Sequence, residues 1–147
     1  MRAPLPFTAL VQSIGERLSR YESVPAPSFP TTKEIGNYGE RVAAAFLRRQ
    51  GYRVLYRNFL TPRGEIDLVC RCQDVLVFVE VRTRARLEFG RPVETIKSRK
   101  QEALRFAASR YLEMLDDRNI FYRFDAVEVI VEPGKIPVCT LQSDLFS

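Results

Sequence analysis

A predicted β-hairpin constrains the fold of this chain more than any other feature of its sequence. Residues 64–84 read GEIDLVCRCQDVLVFVEVRTR, with apolar side chains alternating with others on both sides of the polar pair Gln73-Asp74. This pattern is typical of two antiparallel strands joined by a two-residue turn. Because the turn sets the register, Asp67 is expected opposite Glu80.

Asp67 and Glu80 would then form a pair of like charges on one face of the hairpin. Directly opposed side chains have Cβ atoms about 4.5–5.5 Å apart, and like charges at that separation destabilise a sheet. Two carboxylates so placed are good oxygen ligands for a divalent cation, which would offset their repulsion. We therefore expect a Mg²⁺ or Mn²⁺ site here, with the backbone carbonyl of Val81 and either Glu40 or Glu65 as further ligands.

The chain has no histidine among its 147 residues. Its absence excludes Ser-His-Asp triads, Cys-His pairs and histidine metal sites, so any catalysis must use carboxylates, Lys, Arg, Tyr or metal-bound water. The three cysteines are expected to be free thiols, because Cys139 alone adds too few ligands to Cys70 and Cys72 for a zinc site.

No apolar run reaches the length of a membrane span, and the first twenty residues lack the features of a secretory signal. We therefore expect a cytoplasmic protein with no membrane association. The length fits one domain with its own hydrophobic core.

Basic residues are concentrated directly after the hairpin. The whole chain carries a net charge of +5, and residues 82–105 alone contain eight basic against three acidic side chains. A basic surface beside a carboxylate pair predicts a polyanionic partner, with nucleic acid the commonest case, although a solvated Arg-rich face is the alternative. The residues expected to bind nucleic acid are Arg84, Arg86, Lys97 and Lys100.

Periodicity predicts an α/β domain over residues 31–147. Thr31 and Glu34 have the spacing of a capping box, which predicts a helix ending near Gly51. Close approach to another backbone would explain Gly36 and Gly39 within that helix. The further predicted elements are a strand over 52–57, a connection over 58–64, the hairpin, a helix over 94–115, a strand over 122–131 and an edge strand over 136–141.

Residues 1–30 are expected to form an N-terminal extension outside this domain. Apolar residues at helical spacing predict an amphipathic helix over 7–21, and prolines at 25, 27 and 30 predict an extended linker. The helix would either dock on the domain or a partner, or remain a loosely attached tail.

The residue two after Glu80 lies on the same strand face, and in this chain it is Arg82. Arginine is not deprotonated in proteins, so it cannot act as a general base, but it can bind a phosphate oxygen pair in a bidentate manner. A cross-strand ion pair with Glu65 is the alternative.

Five segments carry a resemblance to a known family: GNYGERVAAAFLRRQGYRVLYRNF, GEIDLV, VLVFVEVRTR, FGRPVETI and RFDAVEVI, in this order. Together they resemble the YraN family of small bacterial proteins, within the PD-(D/E)xK nuclease superfamily, over about residues 34–130. The resemblance implies a restriction endonuclease-like core of helix, three strands, helix and strand around a mixed β-sheet, as in archaeal Holliday junction resolvases.

The resemblance also implies roles for particular residues. Asp67 and Glu80 take the places of the two acids of the motif, and Glu40 that of the acid which related resolvases supply from the first helix. Arg82 stands where the motif normally has lysine. Lys97 or Lys100 could instead bring an ammonium group near the site.

Two functions follow from these predictions. The first is Mg²⁺-dependent, endonuclease-like hydrolysis of phosphodiester bonds in DNA, including structured DNA, by a catalytic set of Glu40, Asp67, Glu80 and Arg82. The second is a nucleic-acid-binding module without turnover, because Arg82 replaces the lysine.

An interaction protein with purely structural ion pairs is a third alternative. A resolvase-like activity would need a homodimer to cut two strands symmetrically.

Overall fold

The predicted order of helices and strands is the order found in the computed structural model, which describes residues 24–29, 31–85, 97–117 and 119–146. Within these residues the chain forms an α/β domain in which a helix, three strands, a helix and a strand follow one another, as expected. Its elements are α1 (Thr32–Arg49), β1 (Arg53–Thr61), β2 (Gly64–Cys72), β3 (Val75–Ala85), α2 (Ser98–Glu113), β4 (Phe121–Val131) and β5 (Val138–Gln142). The helix predicted over 7–21 and the start of the helix predicted from residue 94 lie outside the described residues.

The five strands form one mixed sheet in the order β1-β2-β3-β4-β5. Neighbouring strands are antiparallel except β3 and β4, which are parallel and are connected through α2. The predicted hairpin register is confirmed from Cys72–Val75 to Leu68–Val79. Gln73 adopts a φ of 54°, which closes the two-residue turn.

The two helices cover opposite faces of the sheet. Successive side chains of a strand point to opposite sides, so each strand contributes to both cores. Val77 and Val79 of β3 lie in the core beneath α1, whereas Phe78 between them lies in the core beneath α2. From the helices, Val42, Ala43 and Leu47 fill the first core and Leu104, Ala107 and Tyr111 fill the second.

The start of α1 confirms the predicted capping box. The Glu34 backbone N–H donates to Thr31 Oγ1 at 3.2 Å, and the Thr31 hydroxyl donates to Glu34 Oε2 at 2.9 Å. A Cβ at Gly39 would overlap Thr83 Oγ1 and lie 2.9 Å from Thr83 Cβ, so this glycine allows α1 to approach β3 closely. The same expectation was wrong for Gly36, because a Cβ added there would have no neighbour within 4 Å among the described residues.

Strand β1 is longer than predicted, and the connection expected over 58–64 is reduced to a turn at Pro62-Arg63. Asn58 has a φ of 54°, a conformation that asparagine tolerates, so the strand continues through it. Thr61 then pairs with Gly64 across the turn, and the Gly64 N–H donates to Thr61 Oγ1 at 3.1 Å.

Part of the proline-rich segment contacts the domain. The Ala26 N–H donates to the Lys135 carbonyl at 2.8 Å, and the Gly134 N–H donates to the Ala26 carbonyl at 2.6 Å. The Phe29 ring lies 4.8 Å from the Tyr38 ring. Residues 24–29 are therefore held against α1 and the turn before β5. Neither of the helices in the described residues is long and apolar enough to cross a membrane.

Candidate active site

The first predicted acid, Asp67, is held by the neighbouring strand. This residue is only 6% exposed. The ladder between β2 and β3 ends at Leu68–Val79, one pair before Asp67 and Glu80 would be directly opposed. Beyond it, the Val81 N–H donates a 2.7 Å hydrogen bond to Asp67 Oδ2. The carboxylate thus takes the place of a backbone acceptor at the end of the ladder.

The second acid, Glu80, has two differently placed carboxylate oxygens. Oε1 lies 3.2 Å from Lys100 Nζ, and the Glu80 side chain is 12% exposed. Oε2 is buried and has no hydrogen-bond partner within the described part of the chain. A buried acceptor without a partner destabilises a protein by about 1–3 kcal/mol, and by more when it is charged. Glu80 therefore presents an unsatisfied acceptor at the site.

The third acid, Glu40, reaches the site from α1 directly after the close contact of Gly39 with β3. It is half-buried. Burial raises the pKa of Glu40, and the charges of Glu65 and Glu80 raise it further, while Arg57 and a hydrogen bond with Asn58 lower it. Glu40 is thus in electrostatic range of the carboxylates on the hairpin.

The surroundings of Asp67 strongly disfavour its ionised form. Burial and the charge of Glu80 raise the pKa of Asp67 to about 8, with smaller contributions from Glu40 and Glu65. The hydrogen bond from Val81 lowers this pKa but does not compensate. Asp67 therefore retains a proton at neutral pH unless a positive charge enters the site.

Close packing of the β1–β2 turn on α2 brings Lys100 to the acids. A Cβ at Gly64 would lie 2.7 Å from the Ala103 carbonyl oxygen, so β2 begins in contact with the helix. The Arg63 guanidinium lies 5.1 Å above the Phe106 ring and fixes the same turn. Lys100, one helical turn before Ala103, consequently faces the end of the hairpin.

The donor types at this site suit Mg²⁺ or Mn²⁺, which prefer carboxylate oxygens. The unsatisfied Glu80 Oε2 and the raised pKa of Asp67 both identify a place where a cation would relieve repulsion. In the described ranges, no three acidic or cysteine side chains converge closely enough to hold an ion as they stand. Asp67 Oδ2 accepts the hydrogen bond of the Val81 N–H, and Glu80 Oε1 contacts Lys100.

The predicted arginines lie on β3 beyond Glu80. Arg82 is half-buried, and the parallel register pairs it with Glu128 of β4. Arg84 Nε lies 3.6 Å from Glu128 Oε2, so this arginine forms an ion pair within the protein. Lys97 is exposed just before α2. Arg86 lies outside the described residues.

The sequence analysis did not predict the side-chain interactions of two polar residues, Asn58 and Asp125. Asn58 hydrogen-bonds Glu40, and the connection predicted over 58–64 did not indicate this contact. Asp125 of β4 is fully buried, and accepts hydrogen bonds from the Tyr52 hydroxyl at 3.0 Å, Arg123 Nε at 3.0 Å and the Asp144 N–H at 2.9 Å. These partners satisfy Asp125, so its role is structural.

The three cysteines are free thiols, as predicted, and Cys70 is buried. Burial raises the pKa of the Cys70 thiol far above its usual range, which makes it an unreactive core residue.

Comparison with known proteins gives both relatives and a distant structure. A UPF0102 protein of Syntrophomonas wolfei is 46% identical over 103 residues, which cover 70% of this chain and 90% of that protein. A UPF0102 protein of Caldicellulosiruptor saccharolyticus is 43% identical over 97 residues, which cover 66% of this chain and 82% of that protein. The structure of Pyrococcus furiosus SfsA in complex with Ca²⁺ has a TM-score of 0.33 and 11% identity, over 76% of this chain and 63% of that chain.

The family model described as "Uncharacterised protein family UPF0102" matches residues 39–129. This range begins at the glycine that contacts Thr83 and includes Asp67, Glu80 and Lys100. With the identities to the two bacterial relatives, the match shows that the chain belongs to the uncharacterised protein family UPF0102, the YraN family that its sequence resembles.

Proposed function

We propose that this protein is a metal-dependent, endonuclease-like protein that binds DNA and hydrolyses its phosphodiester bonds. One observation supports the proposal most directly: burial and the charge of Glu80 raise the pKa of Asp67, and the same Glu80 contacts the ammonium group of Lys100. A buried acid with a raised pKa is unfavourable for stability alone, and such perturbed groups cluster at functional sites.

Asp67 and Glu80, with Glu40 from α1, would hold a Mg²⁺ or Mn²⁺ ion. When bound, the ion would supply an activated water and neutralise charge on the phosphate. The Val81 N–H would keep Asp67 at the end of the ladder, and the Val81 carbonyl remains a candidate ligand. Loss of the proton from Asp67 would accompany binding, because only the ionised carboxylate is a good ligand.

Two cationic side chains would bind the phosphate. Lys100 is 44% exposed while contacting Glu80, so its ammonium group can reach both the acids and a ligand at the surface. Arg82, two residues after Glu80, would hold phosphate oxygens without taking part in proton transfer, since its guanidinium stays protonated. Together they would stabilise the negative charge that develops during hydrolysis.

A basic surface would orient the nucleic acid. Lys97 and Arg99 are exposed at the start of α2, next to Lys100, and Arg84 would contribute through the guanidinium nitrogens that do not face Glu128. We propose DNA as the partner, including structured DNA, and a homodimer as the form that would cut two strands symmetrically.

The second candidate function is a nucleic-acid-binding module without turnover. The replacement of the motif lysine by Arg82 favours it, because an arginine cannot exchange a proton with the attacking water. Such a module would use the same basic surface, and its affinity would fall steeply with salt as counterions are released.

A cleavage panel tests both candidates. The wild-type chain is incubated with Mg²⁺ or Mn²⁺ and linear, single-stranded or four-way junction DNA, and compared with Asp67→Ala and Glu80→Ala. Cleavage that requires metal and disappears in both variants would support the endonuclease. Salt-sensitive binding without cleavage under either metal would support the module. Metal-independent cleavage that survives both substitutions would refute the proposed site.

A further inference from the structure

The contact between Lys100 and Glu80 places a positive charge where the proposed cation would bind. Lys100 Nζ lies 3.2 Å from Glu80 Oε1. The same carboxylate has Oε2 buried without a hydrogen-bond partner among the described residues. The ammonium group thus contacts one oxygen of this carboxylate and leaves the other without a partner among the described residues.

The two partners differ in their freedom to move. The Glu80 side chain is only 12% exposed, so its carboxylate has little access to water. Lys100 is nearly half exposed on the first turn of α2. Its ammonium group is a compact charge on a flexible four-carbon stem, so it can leave Glu80 for solvent or for an anion without moving the helix.

Simultaneous occupation by the ammonium group and a divalent ion is unfavourable. Both are positive, both would bind Glu80, and charges a few ångströms apart in a partly buried site are weakly screened. A divalent ion would also be shared with Asp67, which the ammonium group is not seen to contact. The ion can therefore replace Lys100, and Lys100 would be released toward the surface.

We propose that Lys100 is a built-in counter-ion of Glu80, which a divalent cation displaces and which then binds the phosphate of the nucleic acid. This inference rests on the proposed function, because it requires a cation site at Asp67 and Glu80. It adds an order of events, in which cation binding makes the Lys100 ammonium group available to the substrate. In the metal-free protein, the same residue keeps the buried acid neutralised.

Cation affinity measured without nucleic acid tests the proposal. Mn²⁺ is titrated into the full chain by calorimetry, with wild type, Lys100→Met, and Arg110→Met as the matched control. Arg110 is an exposed basic residue of the same helix, and it contacts Glu113, which is not one of the acids of the site. Lys100→Met should bind Mn²⁺ more tightly than wild type by several-fold to about tenfold. Arg110→Met should stay within about twofold of wild type, and Lys100→Arg should also resemble wild type because it retains the charge.

The outcomes separate this inference from the function on which it rests. Equal or weaker Mn²⁺ binding in Lys100→Met than in Arg110→Met would overturn the counter-ion role, while loss of binding in Asp67→Asn would still support the cation site. Absence of Mn²⁺ binding in every variant would overturn the cation site and the counter-ion role together. Tighter binding in Lys100→Met, combined with weaker affinity of that variant for DNA in the presence of Mn²⁺, would support both.

Discussion

The backbone N–H of Val81 donates a hydrogen bond of 2.7 Å to Asp67 Oδ2, so the acid of β2 is fixed by the residue that follows the acid of β3. The position of Asp67 is therefore set by the fold and does not depend on a bound ion. An asparagine at this position would keep the acceptor and lose the charge, which makes Asp67→Asn an informative substitution.

The raised pKa of Asp67 predicts a characteristic pH dependence of stability. In EDTA, the folded protein retains the Asp67 proton up to about pH 8, whereas the unfolded chain releases it near pH 4. The folded state binds more protons within this window, so the free energy of unfolding should fall as pH rises, by at most about 1.4 kcal/mol per pH unit from this group. Urea unfolding across the window should show a smaller slope in Asp67→Asn, and an unchanged slope would contradict the assignment.

Divalent cations should stabilise the folded protein. At a concentration of one hundred times its Kd, an ion that binds only the folded state adds about 2.7 kcal/mol. A Mn²⁺-dependent rise in Tm should therefore occur in wild type and disappear in Glu80→Gln. It should be larger above about pH 8, where Asp67 no longer holds a proton. Asp74→Asn is the control, because Asp74 is a 95% exposed acid at the hairpin turn; a loss of the Tm rise in this variant would indicate non-specific binding.

Replacing Arg82 by lysine should raise the rate of DNA cleavage in Mg²⁺ by roughly tenfold or more, because a lysine can take part in proton transfer. The side chain remains cationic, so DNA affinity should change little. Arg71→Lys, at the other end of the hairpin, controls for the loss of a guanidinium elsewhere on the same strand pair. No gain in cleavage with Arg82→Lys would show that the arginine is not what limits turnover.

The two glycines of α1 should respond oppositely to alanine. Gly39→Ala places a methyl group into Thr83 and should destabilise the protein by about 1–3 kcal/mol. Gly36→Ala meets no neighbour within 4 Å in the described part of the chain and should stabilise the protein by up to about 1 kcal/mol through helix propensity. Chemical denaturation measures both effects. Partial rescue of Gly39→Ala by Thr83→Ala would confirm the contact, and equal effects at the two glycines would argue against it.

The Asp125 network should matter for stability and not for the site. Asp125→Ala leaves the guanidinium of Arg123 without its carboxylate partner and should destabilise the protein by about 3 kcal/mol or more. Tyr52→Phe removes one of several donors to Asp125 and should cost about 1 kcal/mol. Denaturation midpoints measure the effects, and Mn²⁺ affinity at temperatures where the variants remain folded should equal that of wild type. A change in that affinity would place the network in the site after all.

Local patterns predicted the parts of the fold that depend on neighbours in sequence. The turn at Gln73-Asp74 determined the hairpin register because a two-residue loop leaves little choice of pairing. The capping box at Thr31 predicted the first residue of α1 for a similar reason, since all its atoms lie within one helical turn. The same periodicity could not predict that Asn58 would adopt a positive φ and let β1 continue.

Contacts between segments that are distant in the sequence were harder to predict. Lys97 and Lys100 were equal candidates from sequence, and the helix phase that brings Lys100 to Glu80 depends on the packing of Gly64 against Ala103. The hydrogen bond from the Val81 N–H to the Asp67 carboxylate could not be predicted, because the hairpin register predicts a hydrogen bond between backbone groups at that place. Asp125 looked like any charged residue in a strand, since its donors come from the residue before β1, from β4 and from the segment after β5.

The crossover that makes β3 and β4 parallel also separates Lys100 from the acids along the chain. Asp67 and Glu80 are neighbours through a two-residue turn, and a hairpin of this kind forms within about 1–10 μs. The contact of Lys100 with Glu80 forms only when α2 packs on the sheet. Because proteins open locally in cooperative units, an opening of α2 that leaves the hairpin intact would expose Glu80 without its ammonium partner.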